Sequence, residues 1–219
     1  MCERRNSMTS SKKLLVLGAT GSTGQHVVSQ AVSLGHDVTA FVRNPAKLTT
    51  KGENLRLLTG SLTDARALSE AVRGQDIVVS TLGVGNSLKS HGIIQRSVPA
   101  ILRAMESHGV RRLIFMSSFG VGATRRDVPL LARVMIRVLL RDLYDDKEAG
   151  EELLHRSSLD WTVIYPTSLT NGPRTGRYRA GERLTLRGFP RISRADVAAF
   201  LLSQIEDATY VRKGVLITG

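Results

Sequence analysis

Cysteine and long apolar runs are scarce in this chain, and each shortage excludes a class of protein. Cys2 is the only cysteine among 219 residues, so an internal disulfide is impossible and a reducing compartment, by default the cytoplasm, is expected. No apolar run approaches the roughly 20 residues of a membrane-spanning helix. Residues 1–11 lack the apolar centre of a signal peptide and predict a disordered tail. The histidines show no metal-ligand spacing, so no metal site is expected.

Aromatic residues are also few, whereas positive charge is abundant. The 31 Lys and Arg residues against 19 Asp and Glu give a formal net charge of +12. Such a charge is compatible with nucleic acid, an anionic membrane surface or polyanionic small molecules as partners. Only 5 Phe, 4 Tyr and 1 Trp are present, and no RNA-binding aromatic motif occurs, so nucleic acid is the less favoured partner. The sequence indicates no oligomeric state.

A glycine-rich loop between a short apolar strand and a helix is the most informative segment. Gly18, Gly21 and Gly24 lie three residues apart. The first permits a tight turn, the second lets the backbone approach a pyrophosphate, and the third lets the helix pack closely on the sheet. The N–H groups at the helix N-terminus then face the anion. Because the middle glycine comes one residue later than in Gly-x-Gly-x-x-Gly, the prediction of a dinucleotide site depends on the flanking strand and helix.

The end of the second predicted strand indicates which nicotinamide cofactor is used. Arg43-Asn44-Pro45 follows the strand, and no acid stands there. NAD-specific sites place Asp or Glu on the ribose 2′-hydroxyl at this point, whereas an arginine offers a fork of donors to a 2′-phosphate. Arg43 therefore favours NADPH. The alternative is an ordinary solvated arginine at a strand end.

Apolar segments and amphipathic segments alternate along the chain. Strands are predicted at 14–17, 37–42, 55–59, 76–81, 112–117, 160–165 and 214–218. Helices are predicted at 23–34, 65–72, 93–108, 128–155 and 195–205. This order predicts an α/β protein with a Rossmann-like doubly wound, mainly parallel sheet, in a single domain over residues 12–219. Loops at 82–92 and 167–190 should form the substrate side, with Gly83, Ser118 and Thr167 meeting in one crevice.

Six segments spread over nearly the whole chain carry a family resemblance. They are residues 18–24, Val42-Arg43, Leu82-Gly83, Ser117-Ser118, residues 172–178 and residues 192–197. With them the chain resembles the atypical short-chain dehydrogenase/reductase superfamily, in the single-domain NAD(P)H-binding branch that includes flavin reductase, also called biliverdin-IXβ reductase. The resemblance implies a Rossmann fold with NADPH lying across the sheet.

The same resemblance implies a role for each residue at a motif position. Thr20, Ser22 and Thr23 would hold phosphates, and Arg43 would hold the 2′-phosphate. Ser61 and Leu62 would border the adenine, and Leu82 and Gly83 the nicotinamide ribose. The nicotinamide itself would be bordered by Pro166, Thr167, Ser168 and Leu169.

The catalytic Tyr-x-x-x-Lys of the superfamily is absent. If Lys147 fills the lysine place, Leu143 stands at the tyrosine place and Tyr144 is one residue out of register, turned by about 100° on a helix. Tyr144 is therefore predicted to be a packing or surface residue. Lys147 either contacts the cofactor ribose or forms a surface i,i+4 pair with Glu151. Ser118 occupies the place of the active-site serine and is predicted to bind a substrate carbonyl or the cofactor, the alternative being a strand-end serine that bonds the backbone.

Two functions of different classes fit this pattern. The first is an NADPH-dependent reductase of a small planar electron acceptor such as a flavin or quinone, in which hydride passes directly from the cofactor. Ser168 stands where the biliverdin-reducing relative has a histidine, which weakens a tetrapyrrole assignment. The second is a non-catalytic NADP(H)-sensing regulator resembling the NmrA-like proteins, and the missing tyrosine favours it.

Overall fold

The computed structural model describes residues 10–83, 89–128, 133 and 138–219. Its strands are β1 (Lys13–Leu17), β2 (Asp37–Val42), β3 (Leu55–Thr59), β4 (Ile77–Ser80), β5 (Arg112–Met116), β6 (Asp160–Pro166), β7 (Ser168–Thr170), β8 (Arg179–Gly181), β9 (Arg191–Ser193) and β10 (Lys213–Thr218). Its helices are α1 (Ser22–Ser33), α2 (Ala65–Val72), α3 (Ile93–Ser107), α4 (Arg141–Arg156) and α5 (Arg194–Ser203).

Eight strands form one sheet in the order β3-β2-β1-β4-β5-β6-β10-β8, and only β8 is antiparallel to its neighbour. β7 and β9 form a separate parallel pair. The chain reverses its direction of travel across the sheet between β1 and β4, and in folds of this kind the crevice at that switch point binds the ligand. The sheet confirms the predicted doubly wound α/β fold.

The apolar runs of the central strands supply two cores, one on each face of the sheet. In β1, Leu15 and Leu17 pack towards α2, α3 and α4, whereas Leu14 and Val16 pack towards α1 and α5. All four side chains are fully buried. A strand covered on both faces by helices needs apolar residues at successive positions, which is why β1 lacks the alternation typical of a half-exposed strand.

The predicted elements agree with the structure within two residues, except in two places. The helix predicted at 128–155 is interrupted at Leu140, where φ is −120° and ψ is 12°, so that α4 begins only at Arg141. Residues 122–127 form a short 3₁₀ helix, and Val128 is extended. Residues 129–132 and 134–137 lie outside the described residues. In the other place, the predicted loop at 167–190 contains β7 and β8, and the unpredicted strand β9 directly follows it.

Several predictions concern parts of the chain that the structure covers incompletely. Most of the predicted tail at 1–11, and residues 84–88 of the predicted loop at 82–92, lie outside the described residues. No helix in the described part is long and apolar enough to cross a membrane. Among the described residues, no three His, Cys, Asp or Glu side chains gather where they could hold a metal ion.

Candidate cofactor and active site

Two of the three loop glycines are required by close backbone packing. Gly18 has a φ of +80°, and a Cβ there would lie 2.8 Å from the carbonyl oxygen of Thr81. A Cβ on Gly24 would lie 2.1 Å from the carbonyl oxygen of Gly18. Contacts this short do not occur between a real Cβ and a backbone atom, so the turn and the entry of α1 exclude any side chain at either position.

The middle glycine serves a different purpose. Gly21 has a φ of −72°, which any L-residue adopts, and its N–H donates to Gly18 O at 2.9 Å. It is exposed and is the N-cap of α1, where no side chain caps the first turn. The N–H groups of Ser22 and Thr23 therefore point out of the helix N-terminus without a capping side chain. These two N–H groups form a cradle that suits an anion such as a pyrophosphate.

A residue that sequence reasoning missed holds this loop in place. Thr81 follows β4, is buried, and its hydroxyl lies 3.1 Å from Leu17 O and 3.3 Å from Gly18 O. It thereby fixes the turn between β1 and α1 from the neighbouring strand. The signal was available, because a hydroxyl residue at the end of the strand next to β1 lies at the switch point.

The residues predicted for the adenosine half lie at the ends of β2 and β3. Arg43 is exposed directly after β2, and within the described part of the chain its side chain makes no ion pair or hydrogen bond. Ser61 is half-buried, and its hydroxyl lies 2.8 Å from that of Thr63 in the turn before α2. Asp64 caps α2, accepting from two backbone N–H groups at 3.0 and 3.1 Å.

The residues predicted for the nicotinamide half follow β4 and β6. Leu82 is buried and Gly83 is exposed. Thr167 is buried, and its hydroxyl bonds that of Thr218 at 3.2 Å, whereas Ser168 is exposed. Among the remaining two, Pro166 ends β6 and Leu169 lies in β7.

Lys147 and Ser118 meet at the carboxyl end of β5. The Lys147 ammonium donates to Ser118 Oγ at 2.6 Å. Burial lowers the pKa of Lys147 to about 8, and the nearby carboxyl groups of Glu151 and Asp146 oppose this shift. Lys147 forms no ion pair with Glu151 within 4.0 Å, and Glu151 is only 1% exposed. The alternative of an exposed surface pair is therefore wrong.

Glu151 belongs to a buried network that the sequence did not predict. Ser117 donates a hydrogen bond to one carboxyl oxygen, and Tyr165 donates to the other at 2.8 Å. Burial raises the pKa of Glu151 to about 7, against the lowering effects of both hydroxyls and of Lys147. A Cβ on Gly122 would lie 2.2 Å from the second carboxyl oxygen, so glycine there makes room for the network. The adjacent residues Ser117 and Ser118 therefore bond side chains on two successive turns of α4, namely Glu151 and Lys147.

Tyr144 lies beside the same strand end. Its hydroxyl donates to the carbonyl oxygen of Phe119 at 3.0 Å, and the side chain is half-buried. Its i,i+3 spacing to Lys147 places both side chains on one side of α4. Because the hydroxyl bonds a backbone carbonyl, Tyr144 secures the segment after Ser118. Leu143, at the expected tyrosine position, is half-buried.

Comparisons with known proteins bear on the family, the fold and the cofactor. A family model described as NAD(P)H-binding matches residues 18–208. Reductase pytE of Aspergillus terreus is 24% identical, over 96% of this chain and all of its own length. Among solved structures, ChuY, an anaerobilin reductase from Escherichia coli O157:H7, is 22% identical with a TM-score of 0.77, covering 94% of this chain and 96% of ChuY.

A further solved structure, a short-chain dehydrogenase/reductase from Veillonella parvula in complex with NADP, is 20% identical with a TM-score of 0.76, covering 95% of this chain and 94% of that one. At these identities the two solved structures establish likeness of fold. The family match and the reductase relative confirm the predictions of an NAD(P)H cofactor and of an oxidoreductase. The chain belongs to the NAD(P)H-binding family of Rossmann-fold proteins.

Proposed function

We propose that this protein is an NADPH-dependent reductase of a small planar acceptor such as a flavin or quinone. The observation that carries the proposal is the contact between Lys147 and Ser118 at the carboxyl end of β5. When bound, NADPH supplies the hydride. The protein's own residues then have to hold the cofactor, orient the acceptor and keep a hydrogen-bond donor in reach of it.

Ser118 is suited to orient the acceptor. Because its oxygen accepts the hydrogen bond from Lys147, its own proton is free to be donated to a carbonyl oxygen or ring nitrogen of an acceptor. The ammonium group also makes the hydroxyl a better donor by polarising it. Tyr144 is not assigned a proton transfer, since its hydroxyl bonds Phe119.

The preference for NADPH over NADH is assigned to Arg43. Its guanidinium is exposed at the end of β2, with no partner among the described residues. Titration of the protein with each cofactor should show tighter NADPH binding. Arg43→Ala should narrow the difference by roughly 1 to 3 kcal/mol, because a charge-assisted contact to the 2′-phosphate is lost. Equal affinities in the parent protein would remove the assignment.

Reductase activity is tested by acceptor-dependent oxidation of NADPH with flavins and quinones. Ser118→Ala should lower the rate by roughly 2- to 13-fold, the effect of one hydrogen bond of about 0.5 to 1.5 kcal/mol. Ser107→Ala, at the end of α3, is the matched control and should leave the rate unchanged. Tight NADPH binding without turnover of any acceptor would reject the reductase.

That last outcome would favour the NADP(H)-sensing regulator, in which the bound cofactor alters contacts with a protein partner. The absence of the superfamily's Tyr-x-x-x-Lys supports this second function. For either function we propose a cytoplasmic setting, supported by the single cysteine, and small-molecule rather than nucleic-acid binding.

A further inference from the structure

A cavity of about 540 Å³ lies beside the segment that follows β6, and its walls are strongly basic. Its lining residues are Arg179, Thr185, Arg187, Phe189, Pro190, Arg191, Thr218 and Gly219. No acidic side chain of the described residues lines it. Its volume falls within the range of small-molecule sites.

The arginines of this cavity have no Asp or Glu partner among the described residues. Arg187 and Arg191 make no ion pair or side-chain hydrogen bond within the described part of the chain, and Arg179 donates only to Thr185 O at 3.4 Å. By contrast, Arg125 and Arg141 near Tyr144 pair with carboxylates at 3.2 and 3.3 Å. Three guanidinium groups around one concavity repel each other, and an anion between them relieves that repulsion.

An exposed aromatic ring stands between two of these arginines in the sequence. Phe189 is 93% exposed, the largest exposure among the large apolar side chains described. Its neighbour Pro190 is held by a hydrogen bond from Ser168 N to Pro190 O at 3.2 Å. A phenyl ring held on a fixed backbone segment offers a face on which a planar ring can stack.

The cavity adjoins the residues assigned to the nicotinamide. Thr218, in its wall, bonds the hydroxyl of Thr167, and Gly219 N donates to Arg191 O at 2.9 Å. The far end of the loop is secured by Asp196, which accepts from the backbone N–H groups of Thr175 and Gly176 at 2.9 and 2.8 Å. The basic wall therefore includes the end of β10, which pairs with β6, the strand at whose end the residues assigned to the nicotinamide lie.

We propose that this cavity holds the anionic substituent, a phosphate or carboxylate, of the planar acceptor, with Phe189 stacking on the acceptor ring. The inference rests on the proposed reductase function and names its substrate class: the acceptor is an aromatic anion. Arg187 and Arg191 determine the specificity for it.

Riboflavin and its 5′-phosphate (FMN) test this inference, because they share one ring system and differ by the phosphate. Quenching of flavin fluorescence is titrated with the full chain saturated with NADP⁺, so that no hydride is transferred. FMN should bind about 10-fold or more tightly than riboflavin, since each charge-assisted hydrogen bond is stronger than a neutral one. Arg187→Gln combined with Arg191→Gln should bring FMN to the level of riboflavin and leave riboflavin unchanged.

Two further variants sharpen the result. Arg103→Gln, exposed on α3 and remote in sequence from the loop, has the same charge change and should alter neither affinity. Phe189→Leu should weaken both flavins equally, because both present the same ring. Equal affinities for FMN and riboflavin, or an FMN affinity that the double variant leaves intact, would overturn the inference.

The binding assay tests the anion-binding cavity separately from the proposed reductase activity. Arginine-dependent FMN binding without NADPH oxidation would keep the site and reject the reductase. NADPH oxidation with the same KM for both flavins, in the parent protein and in the double variant, would keep the reductase and reject the site.

Discussion

At the scale of single residues, two glycines of the loop meet different requirements. Gly24 is needed for packing of α1 on the sheet, and Gly21 for the proposed approach of the cofactor. Gly24 is required by packing, since a Cβ there would meet Gly18 O at 2.1 Å, whereas a Cβ on Gly21 would lie 3.2 Å from the same atom. The φ of −72° at Gly21 also tolerates a side chain. A side chain at Gly24 is therefore expected to disturb the fold, whereas a side chain at Gly21 is expected to disturb cofactor binding.

Gly21→Val should abolish cofactor binding and leave the fold intact, because its branched carbons would occupy the space above the uncapped N-terminus of α1. Gly24→Ala should lower the unfolding midpoint as well, since the helix has to move away from the sheet. Titration with NADPH and urea unfolding followed by circular dichroism measure the two effects. Retained NADPH affinity in a folded Gly21→Val variant would contradict the proposed cradle.

The sequence predicts those site residues whose role follows from their place at a strand end or at the start of a helix. Ser118 and the glycines are placed correctly at the end of β5 and the start of α1, because strand ends and helix starts can be located from sequence. Lys147 was predicted as a candidate, but its burial and its contact with Ser118 depend on how α4 docks on the sheet. Glu151 was assigned only as a possible surface partner, since nothing in local sequence shows that Ser117 and Tyr165 enclose it.

At the scale of elements, strands and helices with clear periodicity could be predicted almost to the residue. β2, β3 and α2 match their predicted bounds, because each is flanked by turn or capping residues. The helix predicted at 128–155 could not be bounded, since apolar residues continue with helical spacing through the break at Leu140. β8 could not be predicted either. Its three residues pair with β10, a strand distant in the sequence, and no local pattern indicates such a pairing.

The docking of α4 shows how elements position the active site. Asp146 is buried and accepts from the backbone N–H groups of Ile94 and Gln95 at 3.1 and 2.8 Å, which caps α3 from the neighbouring helix. A Cβ on Gly150 would lie 2.4 Å from the Ile94 side chain, so the helices approach closely there. These contacts fix Lys147, which lies between them in sequence, at a constant distance from the end of β5.

At the scale of the whole molecule, burial of Glu151 couples stability to pH. Its pKa is raised from 4.5 to about 7, so between these values the folded protein binds a proton that the unfolded chain has lost. Stability from this group is therefore fully present below pH 4.5 and is lost as the pH rises through 7. The pKa of Lys147, lowered from 10.5 to about 8, acts in a separate window above that, where stability rises with pH.

Glu151→Gln isolates the carboxyl contribution. The parent protein should lose stability relative to the variant by roughly 3 kcal/mol between pH 4.5 and pH 8, the equivalent of about 2.5 pKa units at 1.36 kcal/mol each. Urea unfolding of both proteins at several pH values measures the difference. Taking the difference removes the titrating groups that do not interact with Glu151, including His36 and His155, whose pKa values burial lowers and whose effect on stability has the opposite sign.

Asp145→Asn provides the matched control, because Asp145 lies two residues from Lys147 on the same helix but pairs with an exposed arginine at 3.3 Å. Its difference from the parent protein should stay flat between pH 5 and pH 8, since an exposed ion pair leaves stability in this range almost unchanged. If Glu151→Gln gives an equally flat curve, Glu151 is ionised throughout in the folded protein. The network of Ser117, Tyr165 and Glu151 would then stabilise a full negative charge below Lys147, and the ammonium group would keep its proton to a higher pH than its burial alone allows.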